Sequence, residues 1–335
     1  MLCPVKNQQP SILTNMAYWQ SPEWLARTTS IYPVDASSKE DPVFMPWWKE
    51  AWVLFCKSPA YDIVLTMGIR ESFAYALLCR VCHRKPKQVM TEVFIDQAKP
   101  DSYLWRIKTW FYRWLARDAT GFITNSTREI STNARRFGVP EERFRYVPLS
   151  STIDHPEFIG PSEGYLFCAG RTLRDYETLK RVMLETDATW HVVSGAHDLQ
   201  GENFPERINV HREINRENYL SLLRGARLVV LPLLDTERST GQVVLLEAMS
   251  FGKPCITTES PGTIDIIRHG HNGLLTDNAN PRQIIEYISE LENNPERAMQ
   301  MGREGFEDIL SRYSHREHTA KRLQAIEELW RMKNN

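Results

Sequence analysis

Short apolar runs alternate with longer amphipathic segments from about residue 60 onward. Residues 61–66 (YDIVLT) read as a buried strand that Gly68 ends. A helix follows over 71–84, with Phe73, Ala74, Leu77 and Leu78 turned inward. The pattern then predicts a strand over 88–95, a helix over 102–117 and a strand over 120–124. Asn125-Ser126-Thr127 opens another helix, with Ser126 or Thr127 as its cap and Glu129 in its first turn. Gly138 and Pro140 stop it before a strand over 145–147. Residues 150–163 are crowded with turn formers, and the apolar periodicity lapses there, as in a linker. Beyond it come strands over 165–169, 190–194, 208–211, 228–233 and 255–258. Helices are expected from about Asp175, over 216–225, over 243–251 and through the charged stretch 281–330. Strands alternating with helices imply parallel sheets covered on both faces.

The first fifty residues resist this reading. Prolines stand at 4, 10, 22, 33, 42 and 46, and tryptophans at 19, 24, 47 and 48. Residues 11–19 (SILTNMAYW) are a candidate first strand. No glycine precedes Gly68, so the glycine-rich turn that follows the first strand of a nucleotide-type fold is missing. The aromatics either plug a small core, the plainer reading, or line a binding groove.

A length of 335 residues fits two domains. The hydrophobic and charged fractions, 42% and 25%, are those of an ordinary globular chain. A formal net charge of −1 gives general nucleic-acid binding no support. The cysteines are scattered, and Cys79 and Cys82 form a C-x-x-C without a second pair, which reads as a packed helix face rather than a zinc site. Free thiols, apolar runs too short to span a bilayer and the lack of a signal-peptide pattern predict a cytoplasmic protein. The helix at 103–117 mixes Arg106, Lys108, Arg113 and Arg117 with six aromatics and has no acid. It reads either as a peripheral membrane contact or as a domain helix with snorkelling arginines.

Residues 239–254 (STGQVVLLEAMSFGKP) carry the clearest chemistry. Ser239, Thr240, Gly241 and Gln242 precede an apolar helix from Val243, which Gly252 and Pro254 stop. Small polar residues at a helix start leave its first N–H groups open to an anion such as a phosphate. Glu247 is the one carboxylate in the apolar run and needs a partner. A pair of sugar hydroxyls would serve, and so would an arginine or lysine.

This stretch resembles the donor-binding motif of the retaining GT-B glycosyltransferases known as glycosyltransferase family 4. That motif is a pair of glutamates followed by A-M-x-x-G-x-P. Here Glu247 matches the second glutamate, and Ala248, Met249, Gly252 and Pro254 match the tail. Ser239 stands where the first glutamate would be, with Glu237 two residues before it. The resemblance covers residues 60–330 and is most specific over 165–280.

It implies an α/β GT-B fold: two Rossmann-like domains with parallel sheets facing a central cleft, the N-terminal one shortened. The acceptor-binding domain would occupy 1–155 and the donor-binding domain 164–312, with 313–335 a helix crossing back to the first. It further implies an enzyme, a hexosyltransferase-type glycosyltransferase of polysaccharide or glycolipid biosynthesis. Such an enzyme moves sugar from a UDP- or GDP-linked donor to a glycan, lipid-linked or small-molecule acceptor. By the same resemblance Gly170 and Arg171 follow the first donor-domain strand and grip the diphosphate. Arg174 stands in for the family's lysine. Glu213 and Ile214 lie at the base-binding turn, and Ser239, Thr240, Gly241, Gln242 and Val243 face the donor sugar and phosphates. Met67, Gly68, Arg70 and Glu71 mark the acceptor side, where the family often keeps a histidine. The scheme needs neither metal nor cofactor, and no D-x-D pair stands in a suitable loop; Asp96 and Asp101 are isolated. A non-catalytic sugar-nucleotide or partner-binding relative is the main alternative. A phosphorylase or epimerase on the same fold is a lesser one.

Overall fold

The structure is a computed structural model describing residues 9–16, 21–32, 44–95, 102–162, 164–278 and 280–334. Trp19, Pro4, Pro33, Pro42, Asp96 and Asp101 lie outside the described residues. The chain divides into two units: residues up to Pro148 with those from His318 on, and Leu149–Glu317.

In the first unit the elements run β1 (Ile12–Thr14), α1 (Pro22–Leu25), β2 (Thr28–Ser30), α2 (Trp47–Lys57), β3 (Ile63–Met67), α3 (Ile69–Val81) and β4 (Gln88–Thr91). They continue with α4 (Tyr103–Ala116), β5 (Gly121–Thr124), α5 (Arg128–Phe137) and β6 (Phe144–Tyr146). All strands are parallel, in the order β2-β1-β3-β4-β5-β6. The strands alternate with period two, so neighbouring residues serve opposite faces. Leu13 and Val64 pack with Ala51, Leu54 and Tyr75 of α2 and α3. Ile12, Ile63, Val89 and Ile123 pack with Leu323, Ile326 and Leu329 of α11 (His315–Asn334).

The second unit runs β7 (Tyr165–Ala169), α6 (Tyr176–Glu185), β8 (Trp190–Ser194), β9 (Ile208–Arg212), α7 (Arg216–Gly225) and β10 (Ala226–Leu231). Then come α8 (Gln242–Ser250), β11 (Cys255–Thr258), β12 (Leu274–Thr276), α9 (Pro281–Asn293) and α10 (Pro295–Arg312). Its parallel sheet has the order β12-β11-β10-β7-β8-β9, the doubly wound Rossmann arrangement. The central strands β7, β10 and β11 are buried on both faces, which is why they read as apolar runs. The helical stretch 281–330 holds three helices. Asn294 ends α9 and caps α10, accepting from the Arg297 N–H, and the turn at Tyr313 precedes α11. From His318 on, α11 belongs to the first unit.

Lys253, in the turn between α8 and β11, is 1% exposed, and its Nζ donates to the Gly160 carbonyl at 2.6 Å. Burial pushes its pKa down from 10.5 to about 8. The unfolded chain therefore holds this proton more tightly, and folding stability rises as pH climbs from about 8 towards 10.5. Lys253→Met keeps the stem but cannot titrate. The stability of the natural protein relative to this variant should increase by about 3 kcal/mol between pH 7 and pH 10.5. Urea unfolding of both proteins across that range checks it; a gap that stays constant would remove Lys253 as the titrating group.

Candidate functional site

In a doubly wound sheet, ligands bind beyond the carboxyl ends of the strands where the strand order reverses. In the second unit that point lies between β7 and β10. Beyond β7 the chain turns at Gly170, whose φ is +136°. A Cβ there would lie 2.2 Å from Nε of Arg174, so only glycine fits. The Arg174 guanidinium folds back over this turn. Its Nε donates to the Ala169 carbonyl at 2.8 Å, and its Nη1 donates to the Thr172 carbonyl at 2.9 Å and to Thr240 Oγ1 at 3.2 Å. Burial lowers its pKa, with Cys168, Tyr176 and Tyr219 pulling the other way. Arg174 thus staples the β7 turn to the loop before α8. Arg171 points outward and meets Glu213 at 3.1 Å, with both side chains at least half exposed. A pair so exposed is weak, and an incoming anion can displace the carboxylate at small cost. Glu213 has φ +50° and Leu173 φ +56°, so both turns beyond these strand ends hold residues in a costly conformation.

Helix α8 starts after Gly241, whose φ is +82° and which places no side-chain bond on the first turn. The first amides of a helix have no partner within the helix itself. Behind this loop Gly262 sits so close that a Cβ would fall 2.1 Å from the Thr240 carbonyl oxygen and 2.5 Å from its nitrogen. One turn into α8, Glu247 is 1% exposed. Its Oε1 accepts from Arg216 Nη1 at 2.6 Å and from Thr152 Oγ1, and its Oε2 accepts from the Tyr219 hydroxyl at 2.5 Å. A carboxylate has about four lone-pair sites, so one remains on Oε2. Burial, and then the adjacent Glu247, holds the Tyr219 hydroxyl protonated far above its ordinary range. A cavity of about 450 Å³ joins these parts, lined among others by Gly170, Arg171, Ile214, Arg216, Val243 and Glu247. Its size suits a small-molecule ligand. Thr240 is tied to Arg174 and to the Thr172 carbonyl, Ser239 and Gln242 are buried and lie outside the cavity lining, and Glu237 is exposed.

In the first unit the strand order reverses between β1 and β3. Asn15, just past β1, clamps the end of β3: Met67 N–H donates to its Oδ1 at 2.8 Å, and its Nδ2 donates to the Met67 carbonyl at 3.0 Å. The same amide donates to buried Glu50 at 2.8 Å, and Glu50 accepts from Tyr32 at 2.5 Å. Burial pushes the Glu50 carboxyl up, despite the Tyr32 and Asn15 bonds; nearby Glu71 adds to the rise. Gly68 has φ +93° and starts α3, and the Glu71 carboxylate occupies the space where its Cβ would be, with Oε2 at 2.4 Å. Arg70 is exposed. Among the described residues no three His, Cys, Asp or Glu side chains converge to hold a metal ion.

Residues 196–308 match the family of glycosyl transferases group 1. Over 112 residues the chain is 36% identical to an uncharacterised glycosyltransferase of Methanocaldococcus jannaschii, covering 32% of this chain and 31% of that protein. It is 28% identical over 188 residues to the D-rhamnosyltransferase WbpZ of Pseudomonas aeruginosa, covering 53% and 47%. The chain thus spans about a third to a half of these curated relatives. Among solved structures, Anabaena HepE in complex with UDP superposes with a TM-score of 0.66 at 14% identity, covering 82% of this chain and 81% of that one. Sucrose-phosphate synthase of Thermosynechococcus elongatus gives 0.66 at 16% identity, covering 98% and 87%. The fold is GT-B: two Rossmann-like α/β domains built on parallel sheets.

The glycosyl transferases group 1 segment contains Glu213, Ile214, residues 239–243 and Glu247, while Gly170, Arg171 and Arg174 lie before it. Arg216, Tyr219 and Thr152 were not legible as site residues. Arg216 did leave one trace. A cation in the first turn of a helix opposes the helix dipole, which is a reason to seek an acid near it.

Proposed function

We propose that this chain is a glycosyltransferase of the retaining family 4 type. It would move a sugar from a UDP- or GDP-linked donor to a glycan, lipid-linked or small-molecule acceptor without a metal ion. The observation that carries this reading is a cavity of the second unit that brings together Arg171, the start of α8 and Glu247. Charge that grows on a departing diphosphate is stabilised by fixed donors. Arg171 supplies a planar fork, and the amides near Thr240–Val243 supply a helix start. Arg174 acts here as a positioning residue, holding Thr240 against the β7 turn. Glu247 offers its remaining lone pair to a ribose hydroxyl. The donor sugar then meets the loop amides in place of the family's first glutamate; Ser239, which stands at that position, is buried and lies outside the cavity lining. Oxocarbenium-like character develops at the anomeric carbon, as in other glycosyl transfers.

The test is a thermal-shift and hydrolysis screen of nucleoside diphosphates and their sugars. At least one should raise the melting temperature, and Arg171→Ala should weaken its binding roughly 10–100-fold. Equal binding by natural protein and variant would sink the diphosphate assignment. A non-catalytic relative is the second reading, favoured by Ser239 in the glutamate position and by the protein partners Glu247 already has. Glycosidic bond formation or slow donor hydrolysis by the purified protein would eliminate it.

We also propose a cytoplasmic protein that touches the inner membrane face through α4. The support is that Tyr103, Leu104, Ile107 and Trp110 are exposed on a helix that also carries Arg106, Lys108 and Arg113. Among the described residues no helix is long and apolar enough to cross a membrane.

A further inference from the structure

A second cavity, of about 580 Å³, opens in the first unit at the end of the sheet opposite the β1/β3 reversal. Pro86, Thr120 and Arg143 line it just before β4, β5 and β6, and the carboxyl ends of α3, α4 and α11 close around it. Six cations face it: Arg80, Arg84, Lys85, Arg117, Arg143 and Lys333. Asp118 is the one acid in the lining, and it pairs with Arg80. Among the described residues the other five have no carboxylate partner within salt-bridge distance.

Helix ends alone do not account for this set. Carbonyls at the ends of α3, α4 and α11 favour cations, but Lys85 and Arg143 sit in the segments leading into β4 and β6. Four of the cations are also fixed in place. Arg80 Nη1 donates to the Trp114 carbonyl at 3.1 Å, and Arg84 Nη1 donates to the Phe55 carbonyl at 2.7 Å. Arg143 Nη1 donates to the Arg117 carbonyl at 3.0 Å, and Lys333 Nζ donates to the Pro86 carbonyl at 3.0 Å and Thr120 Oγ1 at 3.2 Å. Burial, and then the like charges of Arg143 and Lys85, lowers the Lys333 pKa, while Asp118 acts the other way. Crowding cations around one space is unfavourable unless an anion fills it. Leu329, Met332 and Ala119 add an apolar wall, so the space suits more than a bare ion.

We infer that this cavity is a second binding site, for a ligand that presents a phosphate or diphosphate group. Guanidinium forks match phosphate oxygens, and the excess of cations matches a group with two or more negative charges. The ligand is either a soluble phosphorylated compound or a phospholipid headgroup. The inference does not depend on the donor reading, because the two sites share no residue.

Calorimetric titration of inorganic pyrophosphate into the full chain tests it, carried out in the Arg171→Ala background to weaken the other site. Binding should persist in Arg171→Ala and weaken at least about tenfold when Arg143→Gln and Lys333→Gln are added. Lys85→Gln, an exposed change that leaves the fold alone, should weaken it by a few fold, and Lys333→Arg should preserve it. Flotation with phosphatidylcholine vesicles, with and without phosphatidic acid, separates the sources. Capture that requires phosphatidic acid, Arg143 and Lys333 identifies a headgroup, whereas pyrophosphate binding without such capture identifies a soluble ligand. Pyrophosphate binding unchanged by Lys85→Gln and by the double change, or no binding in Arg171→Ala, would overturn the inference.

Discussion

Gly262→Ala should destabilise the second unit by about 3 kcal/mol and abolish nucleotide binding, although Gly262 carries no chemistry of its own. The added methyl would lie 2.1 Å from the Thr240 oxygen and 2.5 Å from its nitrogen. Both are backbone atoms, so no side chain can swing aside. Thr240 is in turn tied to Arg174, and Arg174 to Ala169 and Thr172, so displacing the loop disturbs the β7 turn as well. For a unit of this size the melting temperature should drop by roughly 6–12 °C. Differential scanning calorimetry and a nucleotide titration read the two effects. A variant that melts and binds like the natural protein would show that the Thr240 loop is free to move and is not a preformed part of the site.

Glu247→Ala should cost about 2 kcal/mol and remove the protein's preference for ribose over deoxyribose. The stability loss comes mainly from the buried Tyr219 hydroxyl, which loses its acceptor. Arg216 loses its partner too, but its side chain is half exposed and water takes over, so the cost stays below that of breaking a fully buried pair. The binding effect is sharper. If the remaining Oε2 lone pair holds a ribose hydroxyl, the natural protein should bind a nucleoside diphosphate about tenfold or more tightly than its 2′,3′-dideoxy analogue. Glu247→Ala should bind both alike. Calorimetry with the four combinations isolates the Glu247–hydroxyl coupling from any general damage. Undiminished discrimination in the variant would move the ribose elsewhere and leave Glu247 a purely structural anchor for α7.

The parts of the fold that were legible in the sequence are those where one local rule dominates. The strands at 165–169, 190–194 and 255–258 are short, largely apolar runs flanked by turn residues, and their bounds match the structure. The first fifty residues were not legible, because prolines and tryptophans obscure the period. In α2, Trp47, Trp48 and Trp52 are exposed while Ala51, Leu54 and Phe55 are buried, so apolar residues stand on both sides of the helix. Trp24 does plug the core, as the plainer reading held, but Trp47 and Trp48 do not. β2 has three residues, Thr28–Ser30, too few for an alternation to register.

At the site, Gly170 and the start of α8 were legible because a turn or a helix start demands particular residue types. The partners of Glu247 were not. Thr152 lies in the stretch read as linker, and Arg216 and Tyr219 stand in a helix far away in sequence, so only the fold brings the three to one carboxylate. Arg174 shows the limit in another way. An arginine four residues after Gly170 suits phosphate binding, but whether its fork faces a ligand or the backbone depends on the turn, and here it faces the backbone.

Co-crystallisation with UDP or GDP examines the central claim most directly. The account predicts the diphosphate against Gly170, Arg171 and the first amides of α8, with the ribose within hydrogen-bond distance of Glu247 Oε2. Density for the nucleotide away from the β7/β10 end of the second sheet, with Arg171 still on Glu213 and Glu247 untouched, would contradict it.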